Sequence, residues 1–293
     1  QAGRSELAAL ARAGVREIQP GIETFSTRLL AAAGKGVTAA QNVVFMKWAR
    51  HYGIDLRYYL LHGFPGETEA DFERVLTLLP RLRHLAPPLR LRRLALTRGS
   101  PYFDFPERYG IRKVRPYPEY AAALPEAPLD WSRAAQSFDH ELPGERALAG
   151  HARRLGEEVA RWRALWSGPR PPALELRRGE GFVELVDARA GNGRRDASRW
   201  DGDAAWAYLA CGDAPMSREE LLRAARAEGR TLDPGALSRA LETFDERGLV
   251  WREGKSFFAL ALPYRTGFRE YDILSVRRPR GDASVEPFRE ERA

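Results

Sequence analysis

The 293-residue sequence predicts an α/β unit of parallel strands, followed by a small winged-helix-like α+β domain. Three observations carry this. Helical and strand-like patterns alternate over roughly the first hundred residues, the order that gives parallel strands with right-handed crossovers. Two glycine-bearing turns, Gln19-Pro20-Gly21-Ile22-Glu23-Thr24 and Gly63-Phe64-Pro65-Gly66-Glu67-Thr68, each follow a β-prone run and precede a helical one. Farther on, a hairpin, three short helices and a second hairpin succeed one another.

Residues 5–13 have helical composition with Leu7, Leu10 and Ala11 on one side, and Gly14 closes them. Val15 to Gln19 reads as a short strand. Ser26 or Thr27 caps a helix through Ala33, and Gly34-Lys35-Gly36 ends it. Thr38 caps the next, which carries Val43, Val44, Met46, Lys47 and Trp48 to Tyr52-Gly53. Ile54 to His62 is β-prone and apolar towards its end, as a strand covered on both faces should be. Thr68 opens a helix in which Phe72, Val75, Leu76, Leu79 and Leu82 recur at helical spacing, and Pro87-Pro88 breaks it. Leu89 to Thr97 then alternates leucine and arginine, a strand with one dry face. Three strands cannot close a barrel. The pattern therefore predicts missing elements on the N-terminal side, and a chain that starts at Gln1 inside a helical run reads as a fragment or a processed piece.

Gly99 to Pro128 is rich in proline, tyrosine and charge without a period, which predicts an irregular but ordered lid. Gly144 to Trp166 is one long helical pattern, a spacer that ends at Pro169-Arg170-Pro171-Pro172. Leu174 to Arg177 and Phe182 to Val186 form a hairpin, and a polar insert spans Gly191 to Arg199. Helices follow over Ala204–Cys211, Ser217–Glu228, where Ser217 and Glu220 make a capping box, and Pro234–Arg247. A last hairpin pairs Leu249–Arg252 with Ser256–Leu262. The expected domains are 1–130, a half barrel with its lid; 131–172, the spacer; 173–265, the winged-helix or peptide-clamp domain; and 266–293, a charged tail.

Net charge is +7, but the arginines are interspersed with acidic residues, so solvated faces are expected and a nucleic-acid partner is not. No run reaches the ~18 apolar residues of a membrane helix and no signal peptide opens the chain, which predicts a cytoplasmic protein without membrane contact. Cys211 is the single cysteine, so neither an internal disulfide nor a cysteine-rich metal site can form.

Five blocks carry a family resemblance: residues 18–24, Lys35-Gly36-Val37-Thr38-Ala39-Ala40-Gln41-Asn42-Val43 with Trp48-Ala49-Arg50, Leu60-Leu61-His62-Gly63-Phe64-Pro65-Gly66-Glu67, His84-Leu85-Ala86-Pro87-Pro88, and Ser100-Pro101-Tyr102-Phe103. In order and spacing they resemble the C-terminal half of the radical S-adenosylmethionine (SAM) barrel, and specifically the cobalamin-dependent C-methyltransferases that mature ribosomally made peptides. The resemblance implies that Gln19, Gly21 and Glu23 meet the ribose or amino-acid part of SAM, and that Gly63, Phe64, Gly66 and Glu67 line the adenine pocket. It implies SAM, a 4Fe–4S cluster and cobalamin as cofactors of the intact enzyme, which would methylate an unactivated carbon of a precursor peptide through a 5′-deoxyadenosyl radical. The cluster-binding CxxxCxxC loop and the front of the barrel do not occur in this sequence, so the chain is not expected to act alone. Its expected partners are the missing N-terminal half and a leader peptide. The second domain resembles, more loosely, the leader-binding clamp called the RiPP recognition element; a DNA-binding winged helix is the alternative.

Plainer roles stand beside the sharp ones. Glu23 serves either as a ligand to SAM or as a helix cap, and Glu67 either as a ligand or as an acidic first-turn residue. His62 reads as a packed histidine or a hydrogen-bond donor to substrate. His51, His84, His140 and His151 have no metal-ligand spacing. Cys211 is expected to be inert core, and Arg247 and Arg252 to be solvated.

Overall fold

A computed structural model describes residues 3–126 and 128–264; the predicted charged tail, 266–293, lies outside the described residues. Three parallel segments organise the N-terminal part. Glu17–Ile18 runs beside Asp55–Leu56, Glu23 bridges Leu60, and Leu60–His62 pairs with Leu91–Arg93. The expected strand 54–62 is thus split at residues 57–59, although the Arg57 N–H still donates to the Ile18 carbonyl at 3.0 Å. The register also slips: Glu17 lies opposite Asp55, yet Glu23 lies opposite Leu60, so six steps along one strand match five along the other. The first strand carries one extra residue, a bulge immediately before the first glycine turn closes.

Helices Thr27–Ala32, Ala39–His51 and Glu69–Leu82 follow these segments. Their starts obey local chemistry: the Ser26 hydroxyl accepts from the Leu29 N–H, and Thr38 and Gln41 form a reciprocal capping box. Phe25, Leu30, Val43, Met46, Trp48, Phe72 and Leu79 are buried in the core between helices and strands. The helix Ala149–Ser167, which reads as a spacer in sequence, belongs to this layer, with Leu155, Val159 and Trp162 buried. The indole N–H of Trp162 donates to the carbonyls of Arg83 and Leu85, both at 3.1 Å, so it closes the exit of helix Glu69–Leu82.

The lid region is more regular than its composition suggests. After Leu91–Arg93 the chain leaves the parallel sheet, and Leu96–Thr97 joins an antiparallel sheet with Ser137–Glu141 and Arg112–Pro116. That sheet has its own small core of Leu96, Ile111, Ala135 and Phe138, against which Tyr102, Phe103 and Tyr109 pack. Burial of those rings gives a proline-rich stretch enough apolar surface to hold a fixed shape.

In the C-terminal part, Leu174–Gly179, Phe182–Asp187 and Asp196–Asp201 form an antiparallel meander; the third strand falls where a polar insert was expected. Helices Gly202–Ala210, Arg218–Ala227 and Pro234–Glu246 follow, then a hairpin of Val250–Glu253 and Ser256–Ala259, whose second strand also pairs with Met216–Ser217. Leu262–Pro263 returns in parallel beside Leu174–Gly179. One edge of the meander is therefore occupied by the chain itself, and Asp196–Asp201 is the other.

The two parts share one hydrophobic core and are joined by polar contacts. Buried Lys47 donates to the carbonyls of Gly212 (2.9 Å) and Ala259 (2.7 Å), between the rings of Trp48 and Phe258. Buried His84 donates from Nε2 to the Leu260 carbonyl at 3.0 Å. Glu253 accepts from the Thr27 hydroxyl and, at 3.1 Å, from the Ala40 N–H, so it caps helix Ala39–His51 from the opposite part of the chain. Cys211 is fully buried, and burial pushes its thiol up to about 12. That is the chemistry of an inert core residue.

Candidate functional site

The C-terminal ends of the parallel segments form a rim, and both glycine turns lie on it. In the first turn Gln19 and Gly21 are exposed, while Ile22 is buried. Glu23 has φ 60°, and the Thr24 N–H donates to the Ile22 carbonyl at 2.7 Å. This is a three-residue γ-turn with a non-glycine residue at positive φ, a conformation that costs on the order of 1–2 kcal/mol. Tertiary contacts hold it. Buried Asn42 donates to the Ile22 carbonyl at 2.9 Å, and the Leu61 N–H donates to the Glu23 carbonyl at 2.7 Å. The strained turn aims the Glu23 carboxylate sideways, where it accepts from Lys35 Nζ at 2.7 Å. Lys35 sits in the loop that ends one helix and opens the second of the resembling blocks.

The second turn closes differently. Gly63 has φ 77°, and a Cβ there would lie 3.1 Å from Glu145 Oε1, so both conformation and space require glycine. Phe64 is buried, and Gly66 is exposed with φ 72°. Glu67 folds back into its own turn and accepts from the Gly63 N–H at 2.6 Å. Its carboxyl is pushed up to about 7, chiefly by burial, against the pull of the Gly63 and Phe64 N–H groups; Asp71 and Glu145 add to the rise. At neutral pH Glu67 is therefore a proton-exchanging group rather than a fixed anion.

The folded state keeps the Glu67 proton between about 4.5 and about 7, where the unfolded chain has lost it, so this residue's contribution to stability falls as pH rises through that window. Glu67→Gln keeps an acceptor for the Gly63 N–H and loses the titration. Its melting temperature should change less between pH 5 and pH 8 than that of the parent. At pH 8 it should exceed the parent by about 1 kcal/mol, a figure discounted for partial exposure.

The two turns are tied together by residues that the sequence did not mark. Asp71, in the first turn of helix Glu69–Leu82, accepts from the Ser26 hydroxyl (2.9 Å), the Thr68 hydroxyl (2.6 Å), the Thr68 N–H (3.0 Å) and both Nε and Nη2 of Arg28. Burial works against its charge, but the Arg28 guanidinium and the two hydroxyls outweigh it and hold the carboxyl at about 2. Arg28 Nη2 also donates to the Gly66 carbonyl at 2.9 Å. A side chain just after the first turn thus grips the backbone of the second. The signal was present in the sequence only as an ordinary capping box.

A second missed residue, Arg93, links this rim to the lid. It makes a two-pronged pair with Glu145 (2.6 and 2.8 Å), reaches Asp139 at 3.1 Å and donates to the His140 carbonyl at 2.8 Å. Half-buried His62 lies in the field of this pair; burial lowers its pKa, with Glu145 opposing and Arg93 assisting. His140 borders the same cluster, its Nδ1 3.4 Å from Arg93 Nη1, but among the described residues no three acidic, cysteine or histidine side chains are grouped to hold a metal ion. An open cleft of about 530 Å³ lies elsewhere, lined by Arg81, Asp187, Arg189, Arg194, Asp196 and Arg247 among others, but by none of the rim residues.

Residues 3–79, the segment that holds both glycine turns, match the Radical SAM superfamily. A comparison with curated proteins gives no match. Among solved structures, the archaeal Methanocaldococcus infernus Elp3 with an N-terminus deletion (1-46) is similar at 11% identity, over 86% of this chain and 74% of that one, with a TM-score of 0.32, too low to bear on the site. No described helix is long and apolar enough to cross a membrane.

The family implies SAM and an iron–sulfur cluster. The rim has what a polar nucleoside needs: exposed glycine backbone at Gly21 and Gly66 and a partly exposed carboxylate at Glu23. The cluster finds no fit, because the single thiol is buried and held protonated.

Proposed function

We propose that this chain supplies the nucleoside-holding rim and a peptide-holding domain of a radical SAM enzyme that modifies a ribosomally made precursor peptide. What supports the first part is one observation: Arg28 and Asp71 fasten the two glycine turns to each other, while buried Asn42 holds Glu23 in a strained turn. Strain of this kind persists only where the surroundings over-determine it, and it gathers at binding sites. In this reading Glu23 accepts hydrogen bonds from ribose hydroxyls, and Lys35 holds its carboxylate in place. Gly21 and Gly66 admit the ligand close to the backbone. Bound SAM would supply the reactive fragment, and the cluster that activates it would be held by residues other than those of this chain. Methylation with cobalamin is the outcome expected from the resemblance, and it remains the finer part of the proposal.

The rim is tested with 5′-deoxyadenosine. Saturation-transfer NMR on the parent chain should show transfer to the ribose protons, and Glu23→Gln should weaken it at least about tenfold, the loss of one charge-assisted hydrogen bond. The melting temperature should stay unchanged, since only a partly exposed ion pair is removed. Equal transfer in parent and variant would dismiss Glu23 as a ligand group.

For the second domain, the open edge Asp196–Asp201 favours a leader peptide over DNA. An extended peptide can add there as a further strand, with Trp200 and Arg247 beside it. Arg247 and Arg252, which would serve DNA, already face Asp196 and Asp245, both at 3.5 Å. The leader peptide should slow amide exchange across 196–201; unchanged exchange there would count against the clamp.

A further inference from the structure

Charge on the rim is paired, but on the open face of the parallel sheet it is not. Leu60 is buried among the helices, and the residue before it, Tyr59, faces the other way. On the neighbouring strand Arg90 and Arg92 are exposed, and both guanidinium groups approach the same Tyr59 ring, at 5.9 Å and 5.0 Å from its centroid. Among the described residues neither arginine has a carboxylate partner, whereas Arg28, Lys35 and Arg93, at the ends of the same strands, all do. Towards the opposite end of this sheet Asp55 is exposed, and Arg57 faces Glu17 at 4.0 Å. The arginines without a carboxylate partner therefore lie at one end of this sheet, and the acid lies towards the other.

This arrangement selects among anions. A phosphate backbone repeats its charge over a long track, and beyond the two arginines it would run on towards Glu17 and Asp55 at the other end of the sheet. An acidic stretch of polypeptide does not have this difficulty. Residues two apart on a strand lie about 6.6 Å apart on one face, and an extended peptide presents side chains at that same spacing. Two guanidinium groups so placed match carboxylates at alternate positions, each pair able to form two parallel hydrogen bonds. Tyr59 lies within cation–π range of both and supplies no competing anion.

We propose that Arg90, Arg92 and Tyr59 form a docking surface for an acidic segment of the substrate polypeptide, with carboxylates at alternating positions. This rests on the peptide-modifying reading and narrows it: the part of the peptide drawn under the sheet is acidic, independently of how the leader is held at Asp196–Asp201.

The test uses the full chain and a short fluorescein-labelled peptide alternating glutamate and serine, read by anisotropy beside its glutamine counterpart and a single-stranded RNA oligonucleotide of equal charge. The glutamate peptide should bind at least about tenfold more tightly than the glutamine one, and Arg90→Glu/Arg92→Glu should abolish that difference. The same reversal at exposed Arg223 should leave it intact. Both variants alter exposed side chains, and a matching thermal melt shows that each is folded. Equal binding of glutamate and glutamine peptides overturns the inference, as does binding that survives the double reversal. Tighter binding of the RNA through the same two arginines overturns it as well. If the glutamate peptide fails while a leader peptide still protects amides 196–201, this surface is wrong and the peptide-modifying reading survives. If the leader fails and the glutamate peptide binds through Arg90 and Arg92, the docking surface stands and the clamp is lost.

Discussion

Arg93→Met should release the lid. Among the described residues the substitution removes the arginine paired with Glu145 and one of two paired with Asp139, and it takes the Arg93 donor from the His140 carbonyl. Breaking a buried pair from one side costs about 3–5 kcal/mol; about 3 kcal/mol is expected here, because Arg93 and Glu145 keep 28% and 24% of their side-chain exposure. The loss should be local. The lid sheet has its own core around Leu96, Ile111 and Phe138, so it should detach as a unit instead of melting. Hydrogen exchange should quicken at the strand pairs joining Leu96–Thr97 and Arg112–Pro116 to Ser137–Glu141, while Ala39–His51 stays protected. Uniform acceleration through both regions would show that Arg93 holds the whole molecule and has no special tie to the lid.

Trp162→Ala should be the most damaging single change in the helical layer. The indole is fully buried and donates to two backbone carbonyls at the end of helix Glu69–Leu82, and the neighbouring Trp166 indole shares one of them at 2.7 Å. Large aromatic truncations in a core cost about 3–5 kcal/mol, and the Leu85 carbonyl is left without this donor. Urea denaturation should report a loss in that range, with Trp162→Phe recovering most of the packing and none of the hydrogen bonding. A loss under about 1 kcal/mol would mean that the helix is only a spacer and adds little to the core.

The sequence was most legible where structure is made locally. Thr38 and the Ser217–Glu220 box cap their helices as their residue types require. It was least legible where a strand is held by its neighbours. Asp196–Asp201 reads as a polar insert because its backbone partner, Phe182–Asp187, supplies what its own side chains do not. Ser137–Glu141 hides for the same reason between a lid and a helical run. At the site, the glycine turns were evident because glycine announces its backbone conformation. Asp71 and Arg28 were not, since an aspartate in a first helical turn needs no further explanation. Lys47 is the sharpest case. A lysine on a helix predicts a solvated face, yet this one is buried, and burial brings its amine down to about 7.

The fasteners between the two parts of the chain carry a consequence for biosynthesis. Lys47 and His84 are finished by carbonyls at Ala259 and Leu260, and the start of helix Ala39–His51 is finished by Glu253. Residues 47 and 84 leave the ribosome well before the carbonyls that receive them, so the lysine and histidine have no resting place until nearly all the described chain has been translated. Long-range closure of this kind is slow and leaves apolar surface uncovered in the meantime. The nascent protein should therefore depend on a chaperone, and a stop codon just ahead of Glu253 should leave the rim unformed although every residue of the rim has been made.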